Sequence, residues 1–207
     1  MRDGRRTDTR DRILDAALDL MSGCGYDGVS VRDIADAVGI KGASLYKHFE
    51  GKREVFDALI AREIAALENT LRELGANATL DDSPEAYASD DMPELEELVW
   101  RSYLPFFCDE RIRKLRRMLE VSRYADERCA TLYRTVFAER PLALQERIFG
   151  RLVEKGAFNQ CDVALAARQF HGPMLMLMNL ETKPDEARKF CIRHVRAFNE
   201  LHRGGTL

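Results

Sequence analysis

Residues 30–49 read SVRDIADAVGIKGASLYKHF, and the fold of the chain follows from the way these side chains alternate. Ser30 is a good helix N-cap, because its side-chain oxygen can accept a backbone N–H from the first turn. Asp33 stands three residues on, where a carboxylate favours the positive end of the helix dipole. A short helix is expected to start there. Ile34 and Val38 share its inner face, Ala35 is small enough for close packing, and Gly39 can take the left-handed conformation that stops the helix. Lys41 then opens a second helix, in which Leu45 and Phe49 point inward while Ser44, Lys47 and His48 stay outward. Two such helices joined by a glycine turn form a helix-turn-helix. Its second helix can lie in a DNA major groove with its amino-terminal residues at the base edges.

The surrounding sequence is helical as well. Ile13, Ala17, Leu20 and Met21 precede the motif at helical spacing, and Phe56, Ile60, Ile64, Leu67, Leu71 and Leu74 follow it. Strand-like alternation is missing, so the expected class is all-α. The clearest boundary is the segment after Leu74, GANATLDDSPEAYASDDMPE, rich in turn formers and acidic residues, with room for one short helical turn. Beyond it, Pro93 suits a first-turn position. Leu95, Val99, Ser102 and Phe106 lie on one face of the helix that follows, and Trp100, Tyr103 and Phe107 on another, which predicts a central helix. Further helices are expected over 110–122 and 126–155, with Pro141 kinking or breaking the latter and Gly156 stopping it. Another starts near Asp162 and is interrupted at Gly172-Pro173, and a last one, from about Pro184, presents Ala187, Cys191, His194, Val195, Phe198 and Leu201.

Composition narrows the class of protein. The chain has 207 residues, 45% of them apolar, enough for an ordinary core. No stretch approaches the ~20 uninterrupted apolar residues of a membrane span. The charged start MRDGRRTDTRDR lacks an apolar region behind it, which predicts a cytoplasmic protein without a membrane partner. Five scattered cysteines suit reduced thiols better than a disulfide framework. Net charge is −3, so any nucleic-acid binding must come from a local surface. Positive charge is bunched at Arg2, Arg5, Arg6, Arg10 and Arg12 and again at Lys41, Lys47, Lys52 and Arg53; the first group is either a solvated terminus or a grip on DNA phosphates.

The stretch from about Thr9 to Ile60 resembles the DNA-binding domain of the tetracycline-repressor (TetR) family. The matching pieces are RILDAALDLM, GYDGVSVRDIADAVGI, ASLYKHF and GKREVFDAL, covering roughly the first third of the chain. The resemblance implies an amino-terminal helix-turn-helix domain, 1–53, and a larger helical domain for effector binding and dimerisation, 54–207. It also implies a ligand-responsive regulator, most simply a repressor, that binds an inverted-repeat operator as a homodimer and is released by a small apolar or aromatic molecule. Carried over residue by residue, it assigns Tyr46 and Lys52 to phosphates, Ser44 and His48 to the DNA surface, and Ser30 or Arg32 to the DNA backbone. Lys41, Gly42, Ala43 and Lys47 fall at the variable positions where members select sequence. Gly42 and Ala43 can make only backbone or methyl contacts, which leaves polar readout to Lys41 and Lys47.

The carboxy-terminal half yields candidates without an order among them. Trp100, Tyr103, Phe107, Met118, Tyr124, Tyr133 and Phe137 could line an effector site or simply fill the core. His171 could hydrogen-bond a ligand or be a satisfied interior histidine. Arg101, Arg123 or Arg134 could neutralise an acidic ligand or lie on the surface. Cys191 and His194 share a helical face, yet no second ligand pair is near in sequence, so neither metal nor cofactor is expected. The run Leu175-Met176-Leu177-Met178 and the stripe Val195, Phe198 and Leu201 exceed what two terminal helices can bury alone. That surplus predicts a dimer interface centred on Leu175, Met178, Val195, Phe198 and Leu201. Two other classes remain in view: an architectural DNA-binding protein without effector, and a small enzyme on a helical scaffold. No catalytic triad order, metal motif or phosphate-binding glycine loop speaks for the enzyme.

Overall fold

The computed structural model describes residues 3–74, 87, 89 and 91–203; the side chains of 3–8 and most of the linker segment lie outside that description. Among the described residues the elements are helices, joined by turns and one isolated backbone bridge between Phe158 and Arg203. No helix among them is long and apolar enough to cross a membrane.

The chain divides into two compact units. The first takes Met1–Leu67 and Glu110–Tyr133, the second Glu68–Asp109 and Arg134–Leu207. This is a division by packing, whereas the boundary expected after residue 53 is one of roles. The packing unit is larger because α6 (Glu110–Ser122) lies along α1 (Asp3–Cys24).

In the first unit, α1, α2 (Val31–Val38), α3 (Gly42–Leu45) and the start of α4 (Lys52–Glu73) surround Ile13, Leu18, Met21, Ile34, Leu45, Phe49, Phe56 and Leu59, all buried. The turn after α1 is pinned to α6. Gly25 adopts φ +73°, a left-handed conformation that favours glycine, and a Cβ there would lie a tight 3.1 Å from the Val121 side chain. The next residue, Tyr26, donates its N–H to Ser122 Oγ at 2.8 Å. Polar ties reinforce the apolar ones. Glu63, fully buried on α4, accepts two hydrogen bonds from Arg111 of α6, at 2.7 and 3.0 Å, and one from Arg62 at 2.9 Å. Paired in this way, a carboxylate that would be costly to desolvate alone fixes the register of α4 against α6.

The second unit is built from α5 (Met92–Cys108), α8 (Arg140–Glu154), α9 (Val163–Asn179) and α10 (Pro184–His202), with α7 (Glu127–Arg134) leading into it. Asp91 and Asp162 cap α5 and α9 by accepting backbone N–H groups at 3.1 and 3.0 Å. Between α7 and α8 the kink or break expected at Pro141 takes the form of a wide π-turn, Thr135–Glu139, in which Arg140 N–H bonds Thr135 O five residues back. α9 departs from expectation. It runs unbroken through Gly172-Pro173, because residues buried on both sides of the proline, from Ala166 to Met178, pack it on α8 and α10, and those contacts outweigh the one hydrogen bond that Pro173 cannot donate. An aromatic cluster closes this core: Phe198 of α10 lies 5.1 Å from Phe149, 4.9 Å from Phe170 and 4.2 Å from His202, centroid to centroid.

Candidate nucleic-acid interface

The helix-turn-helix forms as its residue pattern requires. Ser30 Oγ accepts the Asp33 N–H, and the Asp33 carboxylate accepts from both the backbone N–H and the hydroxyl of Ser30, at 2.8 and 2.6 Å. These hydrogen bonds hold the Asp33 carboxyl below its usual pKa range. At the other end of α2, Gly39 sits at φ +75°, in the left-handed region, and returns N–H bonds to Ala35 and Asp36. The chain then turns through Lys41 into α3, a single α-helical turn that tightens over Tyr46–His48 before Phe49 N–H closes on Leu45 O at 3.1 Å.

Leu45 and Phe49 anchor this short helix by burial, which fixes what the opposite side presents. Lys41, Ala43, Tyr46 and Lys47 are exposed, and Gly42, Ser44 and His48 are half-buried beside them. Tyr46 is 57% exposed, so its ring is not part of the core. A Cβ added at Gly42 would meet nothing within 4 Å, so a ligand can approach that backbone closely. Arg32 is exposed on α2, 3.7 Å from Asp36.

Three of the cations near the motif have structural partners. Arg12 donates to Val38 O at 2.7 Å, and Arg10 donates to His48 O at 2.7 Å while stacking over Phe49 at 4.1 Å. These two α1 arginines thus satisfy carbonyls at the ends of the motif helices, where the chain has no further N–H to offer. Lys52 donates to Tyr26 O at 3.0 Å and lies 4.2 Å over the Tyr26 ring. Its ammonium has three N–H groups, so this anchor leaves donors for a phosphate. Sequence reasoning missed these ties, since residues 10 and 12 meet 48 and 38 only in three dimensions.

The aromatic candidates of the carboxy-terminal half do not form one group. Tyr103, Phe137 and His171 come together in the second unit: Tyr103 Oη lies 3.2 Å from His171 Nδ1, and His171 Nε2 lies 2.8 Å from Phe137 O. Trp100 and Phe107 stack in the same core at 5.8 Å. Met118 and Tyr133 are buried residues of the first unit. Tyr124, 84% exposed in that unit, is not enclosed and is corrected from site residue to surface residue. Gln145, which donates to Tyr103 Oη at 2.8 Å, is a member of the cluster that the sequence did not single out. His194 Nε2 pairs with Phe170 O at 2.9 Å, and Cys191 is buried with its thiol pushed up to about 12. Among the described residues no group of three or more histidine, cysteine or carboxylate side chains could hold a metal.

The expected dimer seam also requires correction. Met178, Val195 and Phe198 are buried within one chain, and Leu175 is half-buried, because α9 and α10 turn these faces onto α5 and α8. Of the named set Leu201, 69% exposed, and the outer part of half-buried Leu175 are left for a second molecule. Leu165, Met176 and Leu180, at 52, 52 and 67% exposure, are the other large apolar side chains that α9 and its end leave in solvent.

Comparison with known proteins agrees with the geometry of the amino-terminal unit. Residues 13–59 match the model of the bacterial regulatory proteins of the tetR family. Over 48 residues, 23% of this chain, the sequence is 48% identical to the HTH-type negative transcriptional regulator of the biofilm operon icaADBC, IcaR, from Staphylococcus aureus. That match spans about a quarter, 26%, of the relative's length. Two solved structures extend the likeness of fold to nearly the whole chain. One is a TetR-family transcriptional regulator of Mesorhizobium loti, 22% identical with a TM-score of 0.68, covering 97% of this chain and 99% of that one. The other is MexZ, a repressor from Pseudomonas aeruginosa, 22% identical with a TM-score of 0.70, covering 96% of both chains. Residues 13–59 thus carry the helix-turn-helix sequence of the tetR family of bacterial regulatory proteins, and the chain as a whole has the fold of the Mesorhizobium loti TetR-family regulator.

Proposed function

We propose that the protein is a sequence-specific transcriptional regulator, most simply a repressor, that binds an inverted-repeat operator as a homodimer and is released by a small molecule held in the second unit. The observation that carries this reading is the exposed face of α3 and its following turn. Lys41, Ala43, Tyr46 and Lys47 project from a helix whose other side is fixed by buried Leu45 and Phe49. Such a face suits a major groove, with Tyr46 and Lys52 on phosphates and Lys41 and Lys47 at base edges. Ser44 and His48 fit the groove wall, and Ser30 or Arg32 the neighbouring backbone. IcaR, described as a negative transcriptional regulator, shares this segment, which favours repression.

Dimerisation supplies the second recognition helix that an inverted repeat demands. The exposed side chains Leu165, Met176, Leu180 and Leu201 give the last two helices an apolar surface to share with another copy. A ligand that favours the DNA-incompetent spacing of the two motifs weakens DNA binding by the same factor that DNA weakens ligand binding. Coupling of about 1 to 3 kcal/mol gives roughly 5- to 150-fold control. The expected roles are DNA binding for 1–53 and effector binding with dimerisation for 54–207. The DNA-binding reading is tested by titrating salt against operator affinity for wild type and Lys52→Ala. Loss of one phosphate contact should weaken binding to all sequences alike and reduce the log–log slope by about 1. An unchanged slope with altered base preference contradicts it.

A further inference from the structure

The buried polar cluster of the second unit has a direction that its geometry fixes. Phe137 lies in the π-turn, and the residue whose N–H would close an α-helical bond to its carbonyl is Pro141, which has no N–H. His171 Nε2 lies 2.8 Å from that carbonyl. A carbonyl only accepts, so Nε2 carries the proton and donates, and Nδ1 of the neutral ring is left as an acceptor. Burial, which holds the His171 pKa below its ordinary value, keeps the ring neutral. Tyr103 Oη, 3.2 Å from Nδ1, must therefore donate to it, and Tyr103 in turn accepts from Gln145 Nε2 at 2.8 Å. The Gln145 amide cannot be reversed, because its oxygen would then face a hydroxyl whose only proton is already given to His171.

This chain of hydrogen bonds ends on an unpaired group. Gln145 is 8% exposed, and its Oε1 is buried with no hydrogen-bond partner. Aromatic and aliphatic side chains pack on the core that holds Tyr103: Phe106 lies edge-on against Phe137 at 6.0 Å, and Leu142 and Leu144 are half-buried against the same core. The hydrogen-bond partners of the Tyr103 hydroxyl, the Gln145 amide and the neutral His171 ring, carry no charge, and burial raises its pKa. A buried acceptor left open in apolar surroundings is costly, and a neutral donor offsets that cost where an ion would add its own desolvation. Wide π-turns recur where helices serve ligand sites, and this one sets Phe137 and, through it, His171.

We propose that Gln145 Oε1 is the recognition point of the effector site and that the site takes an uncharged, largely apolar molecule whose hydroxyl donates to it. The proposal rests on the reading of the second unit as the effector-binding unit. Tyr103 and His171 act as positioning residues, since they hold the Gln145 amide with its oxygen outward from the relay. A charged ligand is excluded by the same chemistry.

The test uses the full-length protein and three naphthalene probes of similar shape: 2-naphthol, its methyl ether 2-methoxynaphthalene, and naphthalene-2-carboxylate. Binding is read by fluorescence titration, and operator release is read on the same samples by anisotropy of labelled DNA. Wild type should bind 2-naphthol about tenfold more tightly than the ether and should bind the carboxylate more weakly still. Gln145→Leu and Gln145→Met remove the acceptor, and circular dichroism shows whether each variant is folded. In either variant the preference for the hydroxyl should vanish while the ether binds as before. Equal affinity of wild type for naphthol and ether, retention of the preference in both variants, or no binding of 2-naphthol at millimolar concentration would overturn the proposal. The first of these results is the one expected if a water already serves Oε1. Release of operator by all three probes alike would leave the effector reading standing and reject this recognition point. Gln145-dependent binding of 2-naphthol without release would do the reverse.

Discussion

The guanidinium of Arg12 donates to the backbone carbonyl of Val38 at 2.7 Å, so the first helix of the chain holds the end of the second at the point where it turns. A charged donor on a helix C-terminal carbonyl opposes the negative end of the dipole and fixes the angle at which α3 leaves. Arg12→Ala should lower stability by about 1 kcal/mol and weaken operator binding beyond what that loss accounts for. Because the guanidinium is committed to a carbonyl, the salt slope should change less than in Lys52→Ala. Thermal unfolding and a salt titration check both parts, and a slope reduced as far as in Lys52→Ala would place Arg12 on a phosphate.

Tyr46 projects into solvent beside buried Leu45, so Tyr46→Phe removes a hydroxyl and leaves the packing as it was. The melting temperature should stay within about 1 °C, while operator affinity falls by about tenfold or less, the worth of one hydrogen bond to a phosphate. A stability loss like that of a core deletion would make the ring a packing element instead.

The helix-turn-helix was legible in the sequence because its determinants are local. The Ser30 cap, the Gly39 turn and the inward pair Leu45 and Phe49 each act within a few residues of where they are read. Periodicity also found most helices, since it reports that one face is buried. It does not report against what. Phe198 and Val195 form an apolar stripe whichever partner covers them, and the structure shows that α8 and α9 cover Phe198 within the chain. The continuous α9 through Pro173 and the Gln145–Tyr103–His171 relay were illegible for the same reason, being set by contacts between distant segments.

That correction changes how the dimer is tested. Phe198→Asp would unfold the aromatic core of the second unit and could not report on association. Met176→Glu combined with Leu201→Glu alters exposed positions only, so each chain should keep its circular dichroism while the dimer dissociates. Sedimentation at micromolar concentration should show dimers for wild type and monomers for the double variant. A double variant that remains dimeric would move the interface elsewhere.

Acid should destabilise the second unit through its histidines. Burial lowers the pKa of His171, His194 and His202 below the ordinary 6.5, so the unfolded chain binds protons that the folded one does not. Stability from this source is complete above pH 6.5 and is lost as pH falls toward the depressed folded values. Denaturant unfolding at pH 7 and pH 5 should show the loss, and His171→Gln, which keeps an N–H for Phe137 O, should make it smaller. An identical loss in that variant would remove His171 from the account.

The central claim is that two copies of the exposed α3 face read two halves of one operator. Sequences selected from random duplex DNA by the full-length protein can be footprinted with hydroxyl radicals, which report protected phosphates directly. The account predicts two protected half-sites related by a dyad, with centres ~34 Å apart or a multiple of it, both lost in Tyr46→Phe combined with Lys47→Ala. A single unrepeated site of one helical turn, or a footprint that survives both substitutions, would contradict it.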